Sequence, residues 1–223
     1  MLNALPPLVS VDTRLLILGS FPGVASLRAQ QYYGHPQNHF WRILQAIWPS
    51  YEVSTGASSY QIRSEWLLSK KLGLWDVYAS CEREGSLDSN IRHAVLNDFA
   101  GLRQLCPELE AIAHNGGESF KHARQVATSL QDAGVRRDGP APASTAPLGL
   151  EPAASNLLER VLTGDRSEAS GERRPARYSA LHEVKSVGVN FYRLPSTSPA
   201  NASWSFERKL AAWREIFEKH GLI

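Results

Sequence analysis

Four short stretches hold the residue types and spacings that could do chemistry: Gly19-Ser20-Phe21-Pro22-Gly23, Tyr33 to Trp41 (YGHPQNHFW), His114-Asn115-Gly116-Gly117 and Pro195 to Ser203 (PSTSPANAS). Glycines at 19, 23, 116 and 117 let a backbone approach a ligand closely, and exposed N–H groups in such loops bind anions. An asparagine amide carries a donor beside an acceptor, so it can pair with a heterocycle that presents an N–H next to a carbonyl. Uracil and hypoxanthine both do so; cytosine and adenine need the amide reversed. Asn115 is the candidate reader of such an edge, with capping of the following helix as its alternative role. Tyr33 is the candidate stacking platform and Phe21 a second wall, with core packing as the alternative for both. Gly19 and Ser20 supply close backbone in the first loop. That loop lacks the Gly-Lys-Ser/Thr ending of a phosphate-binding P-loop and the spacing of a dinucleotide fingerprint.

These stretches need a scaffold that brings them together. Residues 14–18 (RLLIL), 72–78 (LGLWDVY), 109–116 (LEAIAHNG) and 187–195 (VGVNFYRLP) are apolar runs ending in polar, Gly or Pro residues, as expected of strands buried in a parallel sheet. Helical spacing follows in Phe40, Leu44 and Ile47 with Trp48, in Leu96, Phe99 and Leu102, and in Phe206, Leu210, Trp213 and Phe217. Alternation of this kind predicts an α/β fold with a central, mainly parallel four-stranded sheet in one domain over 1–223. Ligands of such sheets sit outside the carboxyl ends of the strands, where the four stretches fall. Residues 131–178, rich in Ala, Pro, Gly, Ser and Arg, read as a long loop or insertion with one short helix near AASNLLERVL. Its arginines, Arg173 and Arg174 among them, either contact a DNA backbone or belong to a solvated loop.

Composition narrows the classes further. The 223 residues carry a net charge of +2, which tolerates a nucleic-acid partner without requiring one, and six tryptophans. Cys81 and Cys106 match no metal-cluster spacing, so no metal site is expected. No apolar run approaches a membrane span, and the N-terminus lacks a secretory pattern; a cytoplasmic protein with reduced thiols is expected. Asp76 and Glu82 read as structural or as supports behind the site residues, and Cys81 as a buried thiol rather than a nucleophile.

GSFPG, YYGHPQNHFW, HNG and LPSTSPANAS, in this order, resemble the uracil-DNA glycosylase superfamily, most closely its hypoxanthine-DNA glycosylase branch. GHPQNHFW is also similar to a motif of the mismatch-specific uracil glycosylases. The resemblance spans roughly 12–125 and 185–220. It implies a three-layer α/β/α fold and hydrolysis of an N-glycosidic bond in DNA, with uracil the first base to test and hypoxanthine the second, after the nucleotide is flipped out. It implies base excision repair, no cofactor, and a monomer acting on DNA that contains deaminated bases. Superfamily members often place Asp or Asn before the proline of the first motif to position water; Phe21 stands there instead. The role passes to Asn38, with His35 and His39 as competitors, and helix capping is the alternative for Asn38. Many members carry a histidine where Ser196 stands, and an apolar wedge after the proline that is Pro199 here. Ser196, Ser198, Pro199, Asn201 and Ser203 are the candidate DNA contacts of that loop, and Ser203 could instead cap the last helix. A non-catalytic nucleic-acid or nucleotide-binding module on the same fold is the competing class.

Overall fold

The computed structural model describes residues 1–50, 59–135, 183–186 and 188–223. Four strands form the parallel core: β2 (Leu15–Gly19), β3 (Leu72–Asp76), β6 (Ala111–Asn115) and β8 (Val189–Leu194), with β7 (Glu183–Ser186) added antiparallel at the edge. The order is β3-β2-β6-β8-β7. The expected parallel four-stranded sheet is therefore present, and β7 extends it by one strand.

Side chains alternate across this sheet because successive residues of a strand point to opposite faces. Leu15, Ile17, Leu72, Leu74, Ala111, Ala113, Tyr192 and Leu194 enter one core. That core is completed by α2 (Phe40–Ile47), α3 (Tyr60–Ser69) and the last helix, α7 (Phe206–Lys219). Leu16, Leu18, Trp75, Ile112 and Phe191 enter a second core on the other face, closed by α4 (Leu102–Leu105) and α6 (Ala123–Val135). Two cores on two faces make the three-layer α/β/α arrangement. Short helices α1 (Val24–Ala29) and α5 (Gly117–Phe120) follow β2 and β6 directly.

A second sheet departs from expectation. The apolar stretch 72–78 is not one strand: β3 ends at Asp76, and after Val77 the chain enters β4 (Tyr78–Glu82). β4 pairs antiparallel with β1 (Leu2–Asn3) and β5 (Arg92–Leu96). The helix expected through Leu96, Phe99 and Leu102 is absent. Leu96 closes β5, Asp98 Oδ1 accepts the Ala100 N–H in a tight turn, and Phe99 packs edge-on against Trp75 at 5.1 Å. The switch between sheets is held firmly, since Val77 N–H donates to Gly19 O (2.8 Å), Tyr78 N–H to Ser20 O (3.1 Å), and Asn97 Nδ2 to Asp76 O (2.8 Å). The helix expected near AASNLLERVL, with Arg173 and Arg174, lies outside the described residues.

Candidate active site

Parallel register aligns the carboxyl ends of the strands. Gly19 stands opposite Asp76, Leu18 opposite His114, and Asn115 opposite Leu194. The loops that leave these ends form one rim.

Thr197 ties three of the four motif stretches together and is wholly buried. Its N–H donates to Asn115 Oδ1 at 2.9 Å, and Asn115 Nδ2 donates to Thr197 Oγ1 at 2.9 Å. Its carbonyl accepts the His39 N–H at 3.0 Å, next to Asn38. The loop comes close because Gly116, at φ 111°, carries no side chain: a Cβ there would lie 3.0 Å from Ser196 Cβ. Asn115 thus has one amide hydrogen and one lone pair left for a ligand. It does not cap the following helix.

Asn38 performs the capping that its position allows, with Oδ1 accepting the Phe40 N–H at 2.9 Å at the start of α2. Its Nδ2 hydrogens and second Oδ1 lone pair remain uncommitted. His35 is exposed, and its Nδ1 accepts the Gln37 N–H at 3.2 Å. The His39 ring stands edge-on to Phe206 at 5.4 Å, and burial, with Lys209 and Arg42 nearby, holds its pKa below the usual histidine value.

Tyr33, at φ 53°, stacks one ring face on Phe40 with centroids 4.0 Å apart. Its hydroxyl is buried beside the Asn115 side chain, which approaches it without a well-formed hydrogen bond, and burial raises its pKa. Phe21 is not free to act as an open wall on both faces. It is buried in the second core, and the Arg83 guanidinium lies 5.0 Å above its ring while donating to the carbonyls of Phe21 and Pro22. Ser20 Oγ donates to Asp88 Oδ1 at 2.7 Å, and Val24 N–H to Ser86 Oγ at 3.0 Å. Residues 83–88 therefore brace the first loop, a role with no local sequence signal.

The loop after β8 folds upon itself. Ser196 Oγ accepts the Ser198 N–H, Ser198 Oγ accepts the Ala200 N–H, and Asn201 Nδ2 donates to Ser196 O. Ser203 Oγ donates to Asn201 Oδ1, while the cap of α7 is Ser205, whose Oγ accepts the Arg208 N–H. Pro199 is exposed at the tip. Lys209, almost fully buried, reaches Ser198 O at 3.4 Å, and burial lowers its pKa. It is a cation under this loop that sequence patterning treated only as part of a packing helix.

Two buried ionisable groups stand at these strand ends, His114 opposite Leu18 and Asp76 opposite Gly19. Ser119 Oγ donates to Leu18 O at 2.7 Å, so the 2.8 Å contact to His114 Nδ1 requires that nitrogen to carry the proton. Burial lowers the His114 pKa to about 3, and the ring is neutral. Asp76 is 4% exposed, and its Oδ2 is buried with no partner. Burial, reinforced by Asp88, raises its pKa to about 7 against the pull of Arg83. Among the described residues no group of three His, Cys, Asp or Glu side chains is gathered to hold a metal ion. Cys81 is buried, and burial raises its thiol pKa, consistent with an inert side chain.

The family model for the uracil DNA glycosylase superfamily matches residues 6–218. The chain belongs to this superfamily. It is a DNA glycosylase, a hydrolase of N-glycosidic bonds. It is similar to a hypoxanthine DNA glycosylase of Methanosarcina barkeri (strain Fusaro / DSM 804), 42% identical over 117 residues, covering 52% of this chain and 72% of the relative. A hypoxanthine DNA glycosylase of Methanosarcina acetivorans is 41% identical over 118 residues, with the same coverage. The solution NMR structure of a candidate uracil DNA glycosylase from Methanosarcina acetivorans superposes with a TM-score of 0.61 at 27% identity, covering 97% of this chain and 96% of that one. No described helix of the glycosylase is long and apolar enough to cross a membrane.

Proposed function

We propose that this glycosylase removes a deaminated base from DNA in base excision repair, acting as a monomer on a nucleotide flipped into the rim around Gly19. Hypoxanthine takes first place and uracil second, reversing the order suggested by the sequence, because the two curated relatives are named for hypoxanthine. The observation that supports the reading most is the Thr197 junction, which joins the Asn115 strand end, the loop after β8 and the His39 backbone beside Asn38.

In this reading Asn38 orients the water with its uncommitted Nδ2 and lone pair, with His35 as an exposed neighbour. Departure of a base leaves an oxocarbenium-like sugar, which a weakly polarised water attacks readily, so a neutral amide suffices. Asn115 offers its remaining N–H to the base edge, and Tyr33 bounds the pocket with its ring and buried hydroxyl. Gly19 and Ser20 allow close approach. Ser196, Ser198, Pro199, Asn201 and Ser203 present a compact turn to the DNA backbone, with Lys209 beneath it and Arg173 and Arg174 as further phosphate contacts.

The test is incubation with duplexes carrying one hypoxanthine or one uracil, followed by alkaline cleavage at abasic sites. Cleavage at hypoxanthine, faster than at uracil, is the expected result. Binding of both duplexes without cleavage of either would overturn it.

A further inference from the structure

Asp76 is a buried carboxyl group at the ligand-binding end of the sheet that the protein does not satisfy. Its Oδ2 has no hydrogen-bond partner, and its Oδ1 fills the space where a Gly19 side chain would begin: a Cβ at Gly19 would overlap it. The same point lies 3.6 Å from the Tyr33 hydroxyl, which is buried beside Asn115 without a well-formed hydrogen bond. Asn115 borders Tyr33 from the next strand but one, with half of its amide capacity given to Thr197. Groups from β3, β6 and the loop before α2 therefore converge over a glycine. A buried polar group without a partner is destabilising, and such a cost is tolerated where a ligand completes the bond.

We propose that Asp76 contacts the extruded base directly in its neutral acid form, donating its carboxyl O–H to the base carbonyl oxygen and accepting the adjacent ring N–H on its other oxygen. This rests on the glycosylase reading above and deepens it. A carboxylate offers only acceptors and would repel a carbonyl oxygen; the neutral acid offers one donor and one acceptor, matched to that edge. As the bond between the sugar C1′ and the base nitrogen breaks, its electron pair moves onto the base and negative charge gathers on the carbonyl oxygen. The Asp76 O–H bond to that oxygen strengthens at this moment, when it lowers the barrier. Water adds its hydroxyl to C1′, its released proton neutralises the departing base, and Asp76 keeps its own proton throughout.

The surroundings raise the pKa of the acid to about 7, so the neutral form dominates below that pH. Burial dominates, Asp88 from the turn after β4 adds like charge, and the opposing Arg83 does not cancel them; Tyr32 and Tyr33 face it uncharged, and Asn115 is neutral. A carboxyl held in this state can act as a hydrogen-bond donor.

Single-turnover excision of hypoxanthine, followed from about pH 5 to pH 9, tests the assignment in the full-length protein and in Asp76→Asn and Asp76→Ala. The unsubstituted protein is expected to lose rate roughly tenfold per pH unit above about pH 7. Asp76→Asn, whose amide donates at every pH, is expected to run up to about tenfold slower at pH 6 and to lose the alkaline fall. Asp76→Ala should fall by about 10²–10³. Three results would overturn the assignment: an alkaline fall unchanged in Asp76→Asn, an Asp76→Asn protein as slow as Asp76→Ala, or an Asp76→Ala protein at full rate. An unsubstituted protein that excises nothing at any pH overturns the glycosylase reading itself, a result separable from these three.

Discussion

Thr197 and Asn115, 82 residues apart in the chain, are joined by two hydrogen bonds of 2.9 Å, one in each direction. The pair is buried, so neither bond has water as a substitute. Asn115→Asp keeps the acceptor for the Thr197 N–H but loses the donor to its hydroxyl. A destabilisation of about 1–3 kcal/mol in urea unfolding is expected, with slower excision, because a carboxylate cannot donate to a base carbonyl. Excision at the original rate would remove Asn115 from base recognition.

Asn38 has two separable duties. Asn38→Ala removes the bond to the Phe40 N–H, which should cost about 1 kcal/mol in thermal unfolding. It should also lower single-turnover excision by about 10²-fold with DNA affinity retained. Asn38→Ser keeps a capping oxygen and so isolates the chemical loss. Equal rates in all three proteins would assign the water to another residue.

Stability should respond to pH at Asp76. Its pKa in the folded protein is about 7, above the ordinary value of 3.8, so the folded state holds this proton more tightly than the unfolded chain. The resulting stabilisation is complete below about pH 4 and is lost as pH rises toward 7. Asp76→Asn should therefore become the more stable protein at pH 8, by on the order of a few kcal/mol, relative to their difference at pH 4. Denaturant midpoints at the two pH values measure this. Parallel curves would mean that Asp76 ionises freely.

Arg173 and Arg174 are testable through ionic strength. If both reach phosphates, replacing them with alanine should reduce the slope of log affinity against log salt by up to roughly 2. An unaltered slope would remove Arg173 and Arg174 from the phosphate contacts.

Much of the fold was legible because buried parallel strands write themselves as apolar runs closed by glycine or a polar residue, as Leu15–Gly19 and Ala111–Asn115 do. β5 was not, since Arg92 to Val95 lie exposed and carry no burial pattern, and the accidental spacing of Leu96, Phe99 and Leu102 imitates a helix. The motif loops could be named from glycine, amide and hydroxyl residues. What could not be read was which of their groups the protein spends on itself: Asn115 looks the same whether or not Thr197 lies beside it. Asp76 was hidden for the opposite reason, because an acid inside LWDVY looks equally natural with or without a counterion, and only the folded neighbourhood reveals that, among the described residues, Arg83 acts on it from a distance without an ion pair.

The residue at the turn from β3 into β4 is clamped from two directions, by parallel pairing on one side and by the Val77, Tyr78 and Asn97 hydrogen bonds on the other. Its backbone has no slack with which to swing a charge toward solvent. Main-chain movement is thereby a poor route to relieve ionisation there, whereas uptake of a proton or arrival of a partner needs none.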